Sequence, residues 1–121
     1  MERPSGKELY NKIKQAKEAV SNNLIHIIDP AVVAADAIEL GYQAVNLKNV
    51  LSDILEEIGP NHYAGYRPPQ KSYKSEILGL ELFAFRWVSK RFGCESYMKF
   101  SIMQGRMYLV SLHPHRVKKG E

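Results

Sequence analysis

Cysteine is nearly absent. Cys94 is the only one among 121 residues, so no disulfide can close within the chain. Small secreted domains lean on such bridges, and nothing here points to that class. The opening stretch MERPSGKEL lacks the apolar centre of a secretory leader. No apolar run reaches the length that a bilayer demands. A cytoplasmic protein without a membrane association is therefore expected. Glycine-rich phosphate loops of the Walker or Rossmann kind are missing, as is a G-x-S-x-G elbow. His113-x-His115 supplies two imidazoles but no third ligand beside them, so neither a metal nor a cofactor is expected. Internal repeats and low-complexity segments are also missing.

Acidic residues become scarce in the second half. Residues 1–59 hold six Lys/Arg against nine Asp/Glu, a net of −3. Residues 60–121 hold eleven Lys/Arg against four Glu, a net of +7. A basic half suits an anionic partner, most often nucleic acid. It equally suits a surface kept soluble by its charge, and charge alone does not choose between them. An apolar content of 45% in a chain of this length is enough for one domain with its own core.

The first half, residues 1–59, reads as helical. Ser5 with Glu8 fits a capping box. Leu9, Ile13, Ala16 and Val20 then recur at helical spacing. LIHII, Leu24 to Ile28, suits a strand or an extended connector. Asp29-Pro30 starts a second helix that stops at Gly41. Leu47, Val50, Leu51, Ile54, Leu55 and Ile58 mark a third, closed by Gly59-Pro60. Residues 60–77 form a basic loop in which Tyr63, Tyr66 and Tyr73 interleave with Arg67, Lys71 and Lys74. That mixture suits a phosphate chain with bases stacked alongside, or a loop pinned to the core by its tyrosines. Residues 78–116 alternate as three antiparallel strands, with a tight turn at Gln104-Gly105-Arg106 and a stop at Pro114. Residues 117–121 read as a frayed basic tail. The expected fold is α+β: N-terminal helices packed on one face of a C-terminal three-stranded antiparallel sheet.

Side chains two apart on a strand share a face. Met98, Phe100 and Ile102, with Tyr108, Val110 and Leu112, are expected in the core, along with Phe83, Phe85 and Trp87. The opposite face then carries Arg86, Tyr97, Lys99, Ser101, Ser111 and His113. Internal cleavage of RNA uses a nucleophile already in the substrate, the 2′-hydroxyl. It needs a base, an acid and positive donors on the phosphorane-like transition state. His113 suits the proton transfers. Arg86 and Lys99 suit the non-bridging oxygens, and Tyr97 suits a phosphate hydrogen bond or a stacked base. Each has a plainer role as well. Lys99 solubilises, Tyr97 packs, Arg86 flanks Trp87 or pairs with Glu81, and His113 caps a strand end. His26 and His62 are expected to be structural, and Cys94 an incidental thiol.

The segments YNKIKQAKEAV, ADAIELGY, YMKFSI and YLVSLH together resemble the MqsR-type mRNA interferase toxins of the RelE-like superfamily of toxin–antitoxin systems. The resemblance implies a RelE-like fold and a metal-independent endoribonuclease that cleaves mRNA, free or on the ribosome. It also implies a cognate antitoxin protein as partner. The family's catalytic tyrosine falls on Tyr97, and its C-terminal catalytic lysine falls on His113. Ala64 stands where the family has another lysine, and a catalytic glutamine has no counterpart around Leu82 to Arg86. RNA contacts are expected from Arg67, Lys71, Tyr73, Lys74 and Arg116, and catalysis from Arg86, Tyr97, Lys99 and His113. The alternative is a non-catalytic nucleic-acid-binding or protein-interaction domain of the same fold.

Overall fold

A computed structural model describes residues 2–116; the basic tail expected over 117–121 lies outside them. Helix α1 spans Gly6–Ser21, with the Ser5 hydroxyl accepting the Glu8 N–H at 3.0 Å. This is the first half of the capping box. The Glu8 carboxylate turns instead to Arg3, which also grips Glu81 and so ties the chain start to the start of the sheet. Strand β1 covers Ile25–Ile27, and helix α2 covers Pro30–Leu40. Gly41 closes α2 at φ +82°, a left-handed conformation that few residues but glycine adopt freely. A short 3-10 turn leads into helix α3, Leu47–Glu57. Strands β2 (Phe83–Ser89), β3 (Cys94–Met103) and β4 (Arg106–Pro114) follow.

The sheet has four strands in the order β1-β4-β3-β2, and it is mixed. This corrects the expectation of three antiparallel strands. LIHII pairs parallel to β4, with Ile25 opposite Met107 and Ile27 opposite Leu109. Hydrogen bonds from Met107 N to Leu24 O (2.9 Å) and from Ile28 N to Leu109 O (3.0 Å) fasten both ends of the segment. A three-residue strand gives little periodicity to read, and its partner lies eighty residues away. The tight turn is of the kind that matches strand twist, with Gln104 at φ 50° and Gly105 at φ 76°.

All three helices cover one face. Leu9, Ile13, Val33, Leu51, Ile54 and Leu55 meet Phe85, Met98, Phe100, Leu109 and Leu112 in a single core. Burying each such side chain contributes about 1.5–3 kcal/mol. The expected core row on β4 needs correction. Lys99 pairs with Ser111 but Phe100 pairs with Leu109, which leaves Val110 as an extra, unpaired residue. This β-bulge flips the strand beyond it. Met107 and Leu109 therefore enter the main core, whereas Tyr108 and Val110 turn to the opposite face.

That opposite face is half closed. The segment of residues 60–82 is ordered, with 3-10 turns at Pro60–His62 and Ser75–Ile77 and a bridge between Lys71 and Glu81. It seats Ile77, 1% exposed, against Ile28, Leu82, Tyr108 and Val110 as a second small core. Ser101, expected on an open surface, is buried beneath this cover and donates to Glu81 O at 2.8 Å. Leu82 and Ala84 are buried on the same side. The other half of the face stays uncovered.

Candidate functional site

Strand register sets the uncovered half in two ranks. Arg86, Tyr97 and His113 lie abreast across β2, β3 and β4, and Ala84, Lys99 and Ser111 form the next rank. The bulge sits immediately after this second rank, so Ser111 and His113 keep the facing that simple alternation gives them.

Tyr97 and His113 stack, with ring centroids 5.1 Å apart and planes 21° from parallel. His113 Nδ1 lies 2.6 Å from the Pro114 carbonyl oxygen. A carbonyl only accepts, so Nδ1 carries a proton, and the tautomer this selects is the one with its acceptor at Nε2. Burial raises the Tyr97 phenol above its ordinary range, and the nearby Tyr66 adds to the effect. Tyr97 therefore stays protonated at neutral pH and serves as a donor.

The cations divide into engaged and available. Arg86 Nε meets Glu95 Oε1 at 3.1 Å, whereas Glu81, its expected partner, belongs to Arg3. Arg116 Nη2 reaches Asp36 and Glu39 on α2, both at 2.8 Å. Lys74 Nζ lies 3.6 Å from Asp29. Lys71 and Lys99 have no carboxylate partner among the described residues. Arg67 stands apart from the groove. It donates to Pro4 O at 2.9 Å and lies over the Tyr63 ring at 5.0 Å, so it serves the loop's own structure.

Three adjoining open depressions make up the groove. One, of about 390 Å³, runs from Tyr97 past His113 to His115 and Arg116. Another, of about 430 Å³, lies under the turn that carries Tyr66. The third, of about 360 Å³, is bounded by Lys71, Tyr73, Lys74 and Val110. Lys99 borders all three, and Tyr97 borders the first two. The site residues expected from sequence thus come together here, Arg67 excepted.

Sequence reasoning gave no role to Gln70 or Ala84, which line the second depression. Ala84 carried a signal: it is the one small residue in the row of β2 that faces Arg86's side. The other histidines do local work. His26 pairs with Glu76, and His62 Nδ1 accepts the Gly59 N–H at 3.0 Å. The Cys94 thiol lies 3.7 Å from Ser96 Oγ, with no base against it. Among the described residues, no three His, Cys, Asp or Glu side chains gather as a metal site, and no helix is long and apolar enough to cross a membrane.

Comparison with models of protein families and with characterised proteins found no match to this chain.

Proposed function

We propose that the groove binds RNA and cleaves it internally without a metal, as an mRNA interferase toxin resembling the MqsR type would. The observation that carries this reading is the adjacency of three groups: an imidazole with Nε2 free, a protonated phenol stacked on it, and an uncommitted ammonium one rank away.

His113 Nε2 takes the proton of the 2′-hydroxyl. The 2′-oxygen forms its bond to phosphorus, and the bond from phosphorus to the 5′-oxygen breaks. Tyr97 gives its phenolic proton to that departing oxygen, to be restored from the protonated His113 through solvent, and Lys99 neutralises charge building on the non-bridging oxygens. The products are a 2′,3′-cyclic phosphate and a free 5′-hydroxyl. His113 thus does with an imidazole what the family does with a lysine. Arg86 and Arg116 hold carboxylates already, which supports a positioning role at the groove's rim over direct charge neutralisation.

The same engagement of both arginines favours a second reading. With only Lys99 uncommitted beside His113, the groove would hold RNA without cleaving it. An antitoxin that masks the groove is the proposed protein partner under the first reading. Induction of the gene in a growing bacterial host separates the two. Growth arrest with loss of bulk mRNA, abolished by His113→Ala, supports the toxin. Unimpaired growth with intact mRNA at confirmed expression opposes it.

A further inference from the structure

The second depression is built differently from its neighbours. Its floor is apolar and small, made by Ala84 (3% exposed) with Leu82 beside it. Any longer side chain at position 84 would fill the space. Two aromatic residues line it: Tyr97 from the sheet, and Tyr66 from the loop. Tyr66 is 68% exposed, so packing does not explain its place.

The turn beneath Tyr66 is nevertheless tightly made. Tyr63 Oη donates to the Tyr66 carbonyl at 2.5 Å, and the Tyr63 ring meets Phe85 edge-on at 5.9 Å. A Cβ at Gly65 would come within 2.6 Å of Tyr63 Oη, so only glycine passes here. Ala64 N donates to Ala84 O at 2.8 Å, which locks the turn to the floor itself. An exposed aromatic on a rigid mount is a stacking platform. Gln70 supplies the polar edge. Its backbone carbonyl is taken by Leu82 N at 2.8 Å, and its exposed carboxamide, a donor and an acceptor side by side, lines the depression. Lys99 stands where this depression meets the one containing His113.

We propose that this depression is a nucleobase pocket, in which one base of the bound strand stacks against Tyr66 and Tyr97 over Ala84 and offers its edge to Gln70. The inference rests on the RNA reading of the groove. It adds that Gln70 and Tyr66 determine which nucleotide lies next to the reacting phosphate. The amide reads a base edge by paired hydrogen bonds, and a carboxylate in its place offers acceptors only.

The test is calorimetric titration of the full chain at low salt with AMP, GMP, CMP, UMP and ribose 5-phosphate. At least one nucleotide should bind about tenfold more tightly than ribose 5-phosphate, the margin a single stacked base supplies. Tyr66→Ala should bring it down to the level of ribose 5-phosphate. Gln70→Glu should reorder the four nucleotides. Tyr10→Ala, which removes an exposed tyrosine of α1 outside the groove, should leave the ranking as it is. Both Tyr66 and Gln70 are exposed, so the variants should fold, and circular dichroism checks this. Nucleotides that bind no better than ribose 5-phosphate would overturn the pocket, as would a ranking indifferent to Tyr66→Ala and Gln70→Glu. Base-selective binding by a protein that cleaves no RNA would uphold the pocket and defeat the nuclease reading. Cleavage without base-selective binding would do the reverse.

Discussion

Glu57 shows how single side chains hold the sheet to the helices. Its Oε1 accepts from Trp87 Nε1 at 2.8 Å and from Ser89 Oγ at 2.7 Å, and its Oε2 accepts from Arg91 N at 2.9 Å. Burial alone would push this carboxyl up, but the hydrogen bonds together outweigh it and hold the pKa below the ordinary range. A depressed folded-state pKa means that the stabilisation is complete above about pH 4.3 and is lost as pH falls through the folded value. Glu57→Gln should cost about 1–3 kcal/mol at pH 7 in denaturant unfolding. Its stability should also fall less steeply than the wild type's on acidification below about pH 4.3. Equal acid sensitivity in the two proteins would remove Glu57 from this role. Tyr97 has the opposite sign: its raised pKa keeps the phenol neutral and a donor, so the proposed cleavage assigns acceptance of the 2′-hydroxyl proton to His113.

Among the elements, the segment of residues 60–82 decides how much of the face is free. Ile77 anchors it in the second core. Ile77→Ala should destabilise the protein by about 2–5 kcal/mol. It should also weaken RNA binding, because Lys71 and Lys74 rest on the same anchored segment; unchanged binding with lowered stability would separate cover from groove. The helices were legible in the sequence because each carried some local signal: Ser5 and a helical period for α1, Asp29-Pro30 and Gly41 around α2, and the period and Gly59-Pro60 for α3. Strands β2 and β3 were legible because their alternation is strict. Strand β4 was not, because MYLVSL is apolar at nearly every position and satisfies either register. Met107, Leu109 and Leu112 reach the core at spacings of two and then three, the mark of the bulge at Val110. The candidate site was still largely readable, since Ser111 and His113 precede the register slip when read from the open end of the sheet. Arg67 was misplaced because nothing local shows that its donors go to Pro4, sixty-three residues away.

Across the whole molecule, charge is segregated by sequence and then partly neutralised by folding. The basic half lends Arg116 to Asp36 and Glu39, and Lys74 to Asp29, all in the acidic half. What remains for a phosphate chain is smaller than the net of +7 suggests. With Lys71 and Lys99 making the contacts, the logarithm of affinity for single-stranded RNA should fall with log salt at a slope of roughly −1.4, about −0.7 per phosphate. Lys99→Ala should flatten that slope by about 0.7. A slope near zero at measurable affinity would show that the groove does not bind through phosphate.

The central claim concerns the stacked pair and the ammonium beside it, and the most direct measurement is cleavage of an unstructured RNA by purified protein in excess EDTA. The wild type should yield fragments ending in 2′,3′-cyclic phosphate, and His113→Ala, folded by circular dichroism, should be slower by about 10²–10⁴-fold. Intact RNA after incubation with folded wild-type protein, or equal rates from the two proteins, would contradict it.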